Sequence, residues 1–214
     1  MPDRRAISRP LVVGLLGAVV LAAAAQSPLW IYTDRRVNGF EDWSWITRNF
    51  TNTAPVHSGT YAISATGTAA NWPALSFHHS PFDARLYTNL VFWAHGGSSG
   101  GQRLQVVAEF GQSTGPAYVL PAALTANTWR EFVVPLTALG VADATNLHRI
   151  NLQLRANGTS GTFYVDDIQL TAKPAPALVR ITVNATRLLR AVDNRWFGVN
   201  TAIWDNDFGD NSTE

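Results

Sequence analysis

The chain has 214 residues and a formal net charge of +1, is 46% hydrophobic and 11% aromatic, and contains no cysteine. The absence of thiols excludes a disulfide framework, a Cys-based metal cluster and a cysteine nucleophile. Outside the first ten residues no cluster of Lys or Arg marks a nucleic-acid or anionic-membrane partner.

Taken in chain order, the first segment reads as an export signal. MPDRRAISRP carries Arg4, Arg5 and Arg9 against Asp3, and the apolar run LVVGLLGAVVLAAAA follows it. That run is shorter than the roughly 18–20 residues of a spanning helix, and Ala23, Ala24 and Ala25 form a small-residue cleavage site. Residues 1–25 are therefore expected to be a secretory signal peptide, with an uncleaved anchor as the alternative. Cleavage before Gln26 would remove three arginines and one aspartate and take the net charge from +1 to −1. The mature chain is expected to be secreted (extracellular or periplasmic), free of the membrane and monomeric.

From Trp30 to Leu170 short runs of period two are broken by Gly, Ser, Asn and Pro: GTYAISAT, NLVFWAHGG, RLQVVAEF, TWREFVVPL, HRINLQLRA and TFYVDDIQL. Runs rich in Val, Ile, Phe, Tyr, Trp and Thr with this punctuation predict an all-β, antiparallel β-sandwich over residues 27–171. A single turn of helix is allowed at PLTALG, which ends on a glycine stop.

Phase within the strands sorts the side chains, because neighbours face opposite ways. Leu104, Val106, Ala108 and Phe110 share one face, as do Ile150, Leu152 and Leu154, and Leu90, Phe92 and Ala94. Opposite these stripes lie Trp93, His95, Arg103, Gln105, Asn151 and Gln153. If the three strands belong to one sheet, the outer face combines aromatic rings with amides and guanidinium groups. That mixture suits a pyranose, which offers an apolar C–H face and a hydroxyl rim. An ordinary solvated sheet face is the alternative. Trp72, in the polar loop GTAANWPALSF, is expected to be exposed at the rim. Trp43 and Trp45 of EDWSW read more readily as core or edge packing than as a stacking platform.

FYVDDIQL carries two adjacent acids, which face opposite sides of a strand and so cannot act together on one glycosidic bond. One of them could instead meet Asp34 or Glu41 around a hard cation. A solvated strand end is the alternative. No phosphate loop, zinc motif or nucleophile elbow is present.

The ordered set WIYTDRRVNGFEDWSW, HSGTYAIS, LVFWAHGGSSGGQRL, TWREFVVPLTALG and TFYVDDIQL resembles a carbohydrate-binding module. The resemblance is to the galactose-binding-like jelly rolls at the front of bacterial polysaccharide-degrading enzymes. It implies a noncatalytic module that binds a plant-type polysaccharide or oligosaccharide and targets an enzyme to it. It also implies a structural calcium joining the first strand to the last, through Asp34 and Asp166 with Glu41 as substitute.

Residues 172–179 form a Pro/Ala linker. Beyond it, VRITVNATRLLRAVDNRWFGVNTAIWDNDF resembles the entry to a glycoside hydrolase domain of the arabinofuranosidase or endoglucanase kind. Residues 180–214 are expected to be the truncated start of such a domain. A (β/α)₈ barrel needs roughly 200 residues or more, and its two catalytic carboxylates would come from later strands. The chain itself is therefore expected to be inactive, with no catalytic residue assigned. Asp205, Asp207 and Asp210 read as loop residues.

Overall fold

The computed structural model describes residues 26–175. The predicted signal peptide, the end of the linker and the predicted C-terminal hydrolase element lie outside the described residues.

Twelve strands make up the described chain: β1 (Leu29–Tyr32), β2 (Glu41–Asp42), β3 (Thr47–Asn52), β4 (Ala62–Gly67), β5 (Ala74–Phe82), β6 (Tyr87–His95), β7 (Leu104–Phe110), β8 (Ser113–Thr114), β9 (Tyr118–Val119), β10 (Trp129–Pro135), β11 (Leu147–Leu154) and β12 (Gly161–Ala172). They form two antiparallel sheets of six strands. The first has the order β10-β6-β12-β4-β3, with β1 on β12. The second has the order β2-β5-β11-β7-β8, with β9 on β7. The expected all-β, antiparallel sandwich is the fold.

Alternation builds the core. Leu90, Phe92 and Ala94 of β6 and Phe163 and Val165 of β12 face inward from the first sheet. Leu75 and Phe77 of β5, Leu104, Val106 and Ala108 of β7 and Ile150, Leu152 and Leu154 of β11 meet them from the second, in one buried cluster. Each large side chain here contributes about 1.5–3 kcal/mol by leaving water. The inward phases read from the sequence are the ones observed.

Three features differ from the sequence reading. First, β6, β7 and β11 do not share a sheet: β6 lies between β10 and β12, whereas β11 lies between β5 and β7. Phase dictates which side chains face outward, but partner choice is a nonlocal property that alternation does not encode. Second, PALSF is not loop throughout: Pro73 precedes β5, and ALSFHHSPF is a nine-residue central strand. Third, the two acids of FYVDDIQL do not point to opposite faces. A bulge interrupts the β12–β6 ladder after Asp166, and Asp167 has φ +50°, which turns both carboxylates toward residues 57 and 58. The PLTALG segment is a hydrogen-bonded turn, with Ala138 N–H donating to Pro135 O, that closes on Gly140 at φ +68°.

Candidate functional site

Register assembles the outer face of the second sheet row by row. One row runs Glu41, His78, Arg149, Glu109. The next runs Trp43, Ser76, Asn151, Val107, because Trp43 N–H continues the β2 pairing by donating to Ser76 O. A third runs Trp45, Ala74, Gln153, Gln105 and Val119, with Trp45 N–H donating to Ala74 O. Beyond it, Arg155 N–H donates to Arg103 O, 2.8 Å away. Rows two residues apart lie about 7 Å from one another and strands about 4.8 Å. The strip is thus wide enough to underlie several units of an extended chain.

Three tryptophans border this strip, and all are open to solvent: Trp43 is 48% exposed, Trp45 47% and Trp72 40%. The packed-edge reading of Trp43 and Trp45 is corrected by this exposure. His78 stacks on Trp43 with centroids 3.7 Å apart and planes at 8°, and the Arg149 guanidinium carbon lies 4.7 Å from the same ring's centroid. The Trp43 indole N–H donates to Glu41 Oε2 at 3.0 Å, which fixes the ring in plane. The Trp45 indole N–H donates to Trp72 O at 2.9 Å. Arg155 lies 5.5 Å from the Trp72 centroid, so Trp72 stands at the rim as expected. Trp72 also adopts φ +51°. That conformation is a genuine outlier for a bulky residue, and strain of this kind concentrates at functional sites.

Beneath the strip lie buried polar groups, with Ser76 0% and Asn151 1% exposed. Five buried side-chain atoms among the described residues lack a partner, and three of them, Ser76 Oγ, Asn151 Oδ1 and Arg149 Nε, fall on this strip. Asn151 Nδ2 donates to Glu109 Oε1 at 2.8 Å. A carboxylate only accepts, so the amide is oriented and its oxygen points elsewhere. Arg149 Nη1 is 3.0 Å from Glu109 Oε2, which leaves Nε free. Gln105 Nε2 donates to Gln153 Oε1 at 2.8 Å, and Arg155 donates to Gln105 Oε1. A buried polar atom without a partner costs about 1–3 kcal/mol, and each such group in a native structure calls for an explanation.

The predicted residues therefore divide. Arg103, Gln105, Asn151 and Gln153 lie on the second sheet, with Trp72 at its rim. Trp93 and His95 lie on the first, where one face of Trp93 is covered by His57 at 3.8 Å and 16°. Sequence reasoning missed Ser76 and His78 and ranked packing above exposure for Trp43 and Trp45. The available signal was the alternation Leu75, Phe77 against Ser76, His78 in ALSFHH.

Asp34 and Asp166 flank one loop of the first sheet. Asp34 Oδ1 accepts from the N–H groups of Thr60 and Tyr61, bonds that hold its carboxyl below the usual range. Asp166 Oδ2 accepts from His57 and Ser58 N–H, and its Oδ1 from Asp167 N–H. Burial pushes Asp166 up to about 6, and burial together with the Asp166, Asp34 and Asp167 charges pushes Tyr32 up as well. Glu41, the substitute ligand, is on the other sheet. Calcium takes six to eight oxygen ligands. Here the lone pairs largely serve N–H donors, and among the described residues no group of three His, Cys, Asp or Glu gathers that could hold a metal ion. The corner as arranged does not fit the ion.

Fold and face together define an all-β sandwich with an open aromatic and polar sheet surface. No family model matches the sequence. The chain is 31% identical over 154 residues to an endoglucanase of Dictyostelium discoideum, an alignment that covers 67% of this chain and 21% of that protein. The chain thus spans about a fifth of the length of that curated relative. Among solved structures it is similar to a mutant of a family 29 carbohydrate-binding module complexed with mannohexaose (TM-score 0.48, 13% identity, 70% of this chain and 93% of that one). It is also similar to the family 11 carbohydrate-binding module of the cellulosomal cellulase Lic26A-Cel5E of Clostridium thermocellum (TM-score 0.48, 18% identity, 70% and 97%).

Proposed function

We propose that the outer face of the second sheet is a glycan-binding platform, and that the protein is a secreted, monomeric, noncatalytic module that targets a polysaccharide-degrading enzyme to a plant-type β-glycan. One observation carries this reading. Trp43, Trp45 and Trp72 stand exposed along a strip whose rows carry the partly exposed Glu109, Arg149, Gln153 and Arg155. Together they present carboxylate, guanidinium and amide groups, the complement of a sugar's hydroxyl rim, beside rings that take its C–H face. The identity to an endoglucanase supports a glycan-degrading context. Enzyme targeting, export by residues 1–25 and a hydrolase element after residue 179 are parts of the proposal, as is the absence of nucleic-acid and membrane partners. For calcium, the proposal is that the Asp34 and Asp166 corner stands on its N–H donors alone.

Affinity should be modest, in the micromolar to millimolar range, because exposed hydrogen bonds contribute only about 0.5–1.5 kcal/mol each. The test is affinity electrophoresis in gels cast with β-glucan, mannan or xylan. Retardation in at least one gel that Asn151→Ala or Gln153→Ala reduces supports the platform. Free migration in all of them contradicts it.

A further inference from the structure

The first sheet holds a second concavity, remote from the platform in register and sheet. It has a volume of about 260 Å³ and is lined by Pro55, His95, Gly97, Ser98, Asn127 and Tyr164. Register explains how it is built. His95, the last residue of β6, faces Trp129 of β10 on one side and Tyr164 of β12 on the other. Both rings hold the imidazole, at centroid distances of 5.2 Å and 5.6 Å. The chain then turns through Gly97 at φ +63°, where a Cβ would lie 2.5 Å from Thr162 O, so only glycine lets the backbone pass so close. Asn127 N–H donates to Gly97 O at 2.7 Å, which draws the Asn127 turn over the pocket.

The chemistry of the lining is specific. His95 is 6% exposed, and its Nδ1 accepts the Gly97 N–H at 2.9 Å. That bond selects the tautomer with the proton on Nε2, and burial lowers the basicity of the ring and keeps it neutral. Nε2–H is therefore a fixed donor. Ser98 and Tyr164 add hydroxyls, and Asn127 adds an amide. No charged side chain lines the pocket.

We propose that this pocket is a separate binding site for a single neutral, hydroxylated ring, such as the end or a side branch of a glycan. Its volume is below the roughly 300–1,000 Å³ of sites for drug-sized ligands, which suits one ring and not an oligomer. A polar lining without charge selects against uronic acids, whose carboxylate would enter with no cation to meet it. The site is distinct from the platform, so each stands or falls without the other.

The experiment uses the full chain and four neutral probes, glucose, mannose, galactose and xylose, with glucuronate as the charged control. Binding is followed by NMR at the His95 ring and the Tyr164 amide. The expected result is saturable binding of at least one neutral sugar in the millimolar range, with glucuronate at least tenfold weaker. Tyr164→Phe removes only a hydroxyl, and Asn127→Gly suits the φ of +51° at that position, so the double variant should fold. It should bind the sugar at least fivefold more weakly and keep its retardation in polysaccharide gels. Asn151→Ala should show the opposite pattern. No saturable shift at His95 below about 100 mM of any neutral probe would overturn the proposal, as would binding equal in the double variant and the parent, or binding lost in Asn151→Ala alone.

Discussion

The outer faces of the two sheets are built from the same kinds of residue and use them differently. On the first sheet, outside the small pocket at its end, polar groups answer one another. Asp166 accepts three backbone N–H bonds, Asp167 takes Ser58 Oγ and His57 Nδ1, and Thr66 pairs with Thr162 across the strands. On the second sheet, Ser76, Asn151 and Arg149 leave buried atoms unanswered beside open indoles. Both faces carry Trp and His, with Trp93, Trp129, His57 and His95 on the first and Trp43, Trp45, Trp72 and His78 on the second, so composition alone does not rank them. Exposure of the rings does: Trp43, Trp45 and Trp72 are 48%, 47% and 40% exposed, whereas His57 covers one face of Trp93. A face whose rings are packed within the protein stabilises the fold, and one that leaves them exposed is open to a partner.

The largest expected effect tests the closed face. The folded state holds the Asp166 proton more tightly than the unfolded chain does, because burial raises this carboxyl to about 6. Ionised Asp166 therefore costs stability above about pH 6, and the cost disappears as pH falls toward the ordinary carboxylate value near 4. The linkage is worth up to about 3 kcal/mol for this one group. Urea denaturation at pH 7 and pH 4.5 should show the parent gaining stability relative to Asp166→Asn as the medium is acidified. A difference between the two that is flat with pH would mean that the carboxyl titrates normally.

The next effect tests the open face. If a sugar covers about 80 Å² of the exposed Trp43 indole, the contact contributes about 2 kcal/mol, or roughly thirtyfold in affinity. Trp43→Ala should lose about that much in polysaccharide binding, whereas Trp93→Ala should lose melting temperature, through its stack on His57, and keep its binding. Equal binding losses would erase the distinction between the faces.

Ser76→Ala sharpens the same contrast at a smaller scale. Removing an unpartnered buried hydroxyl should leave thermal stability unchanged or raise it by up to about 1 kcal/mol, with polysaccharide binding unaltered because Ser76 is 0% exposed. A variant that loses stability would show that the hydroxyl already has a partner. The smallest effect concerns the Asp34 corner, where melting should be the same in chelator and in millimolar calcium. A rise of several degrees with calcium would restore the ion to that corner.

Much of this contrast was legible in the sequence, and the missing part has a physical cause. Alternation reported which of Leu104, Gln105, Leu152 and Gln153 face inward, because side-chain direction is a local property of an extended chain. Whether β6 sits beside β11 or across the core from it depends on pairings between residues as distant as Trp93 and Asp166, which no local pattern records. The same limit put Trp93 and His95 in company with Gln105. ALSFHH was hidden by its proximity to Trp72 and Pro73, whose loop signals masked a strand. The Asp166–Asp167 bulge was invisible because a single residue at positive φ overrides the period of two.

On the proposed reading, glycan meets the second sheet through Trp43, Trp45 and Trp72. Hydroxyl-radical footprinting of the full chain, with and without a saturating β-linked hexasaccharide that retards it in gels, tests this directly. Oxidation of Trp43, Trp45 and Trp72 should fall, with that of Trp93 and Trp129 unchanged. Protection confined to Trp93 and Trp129, with the three platform indoles oxidised as before, would contradict it.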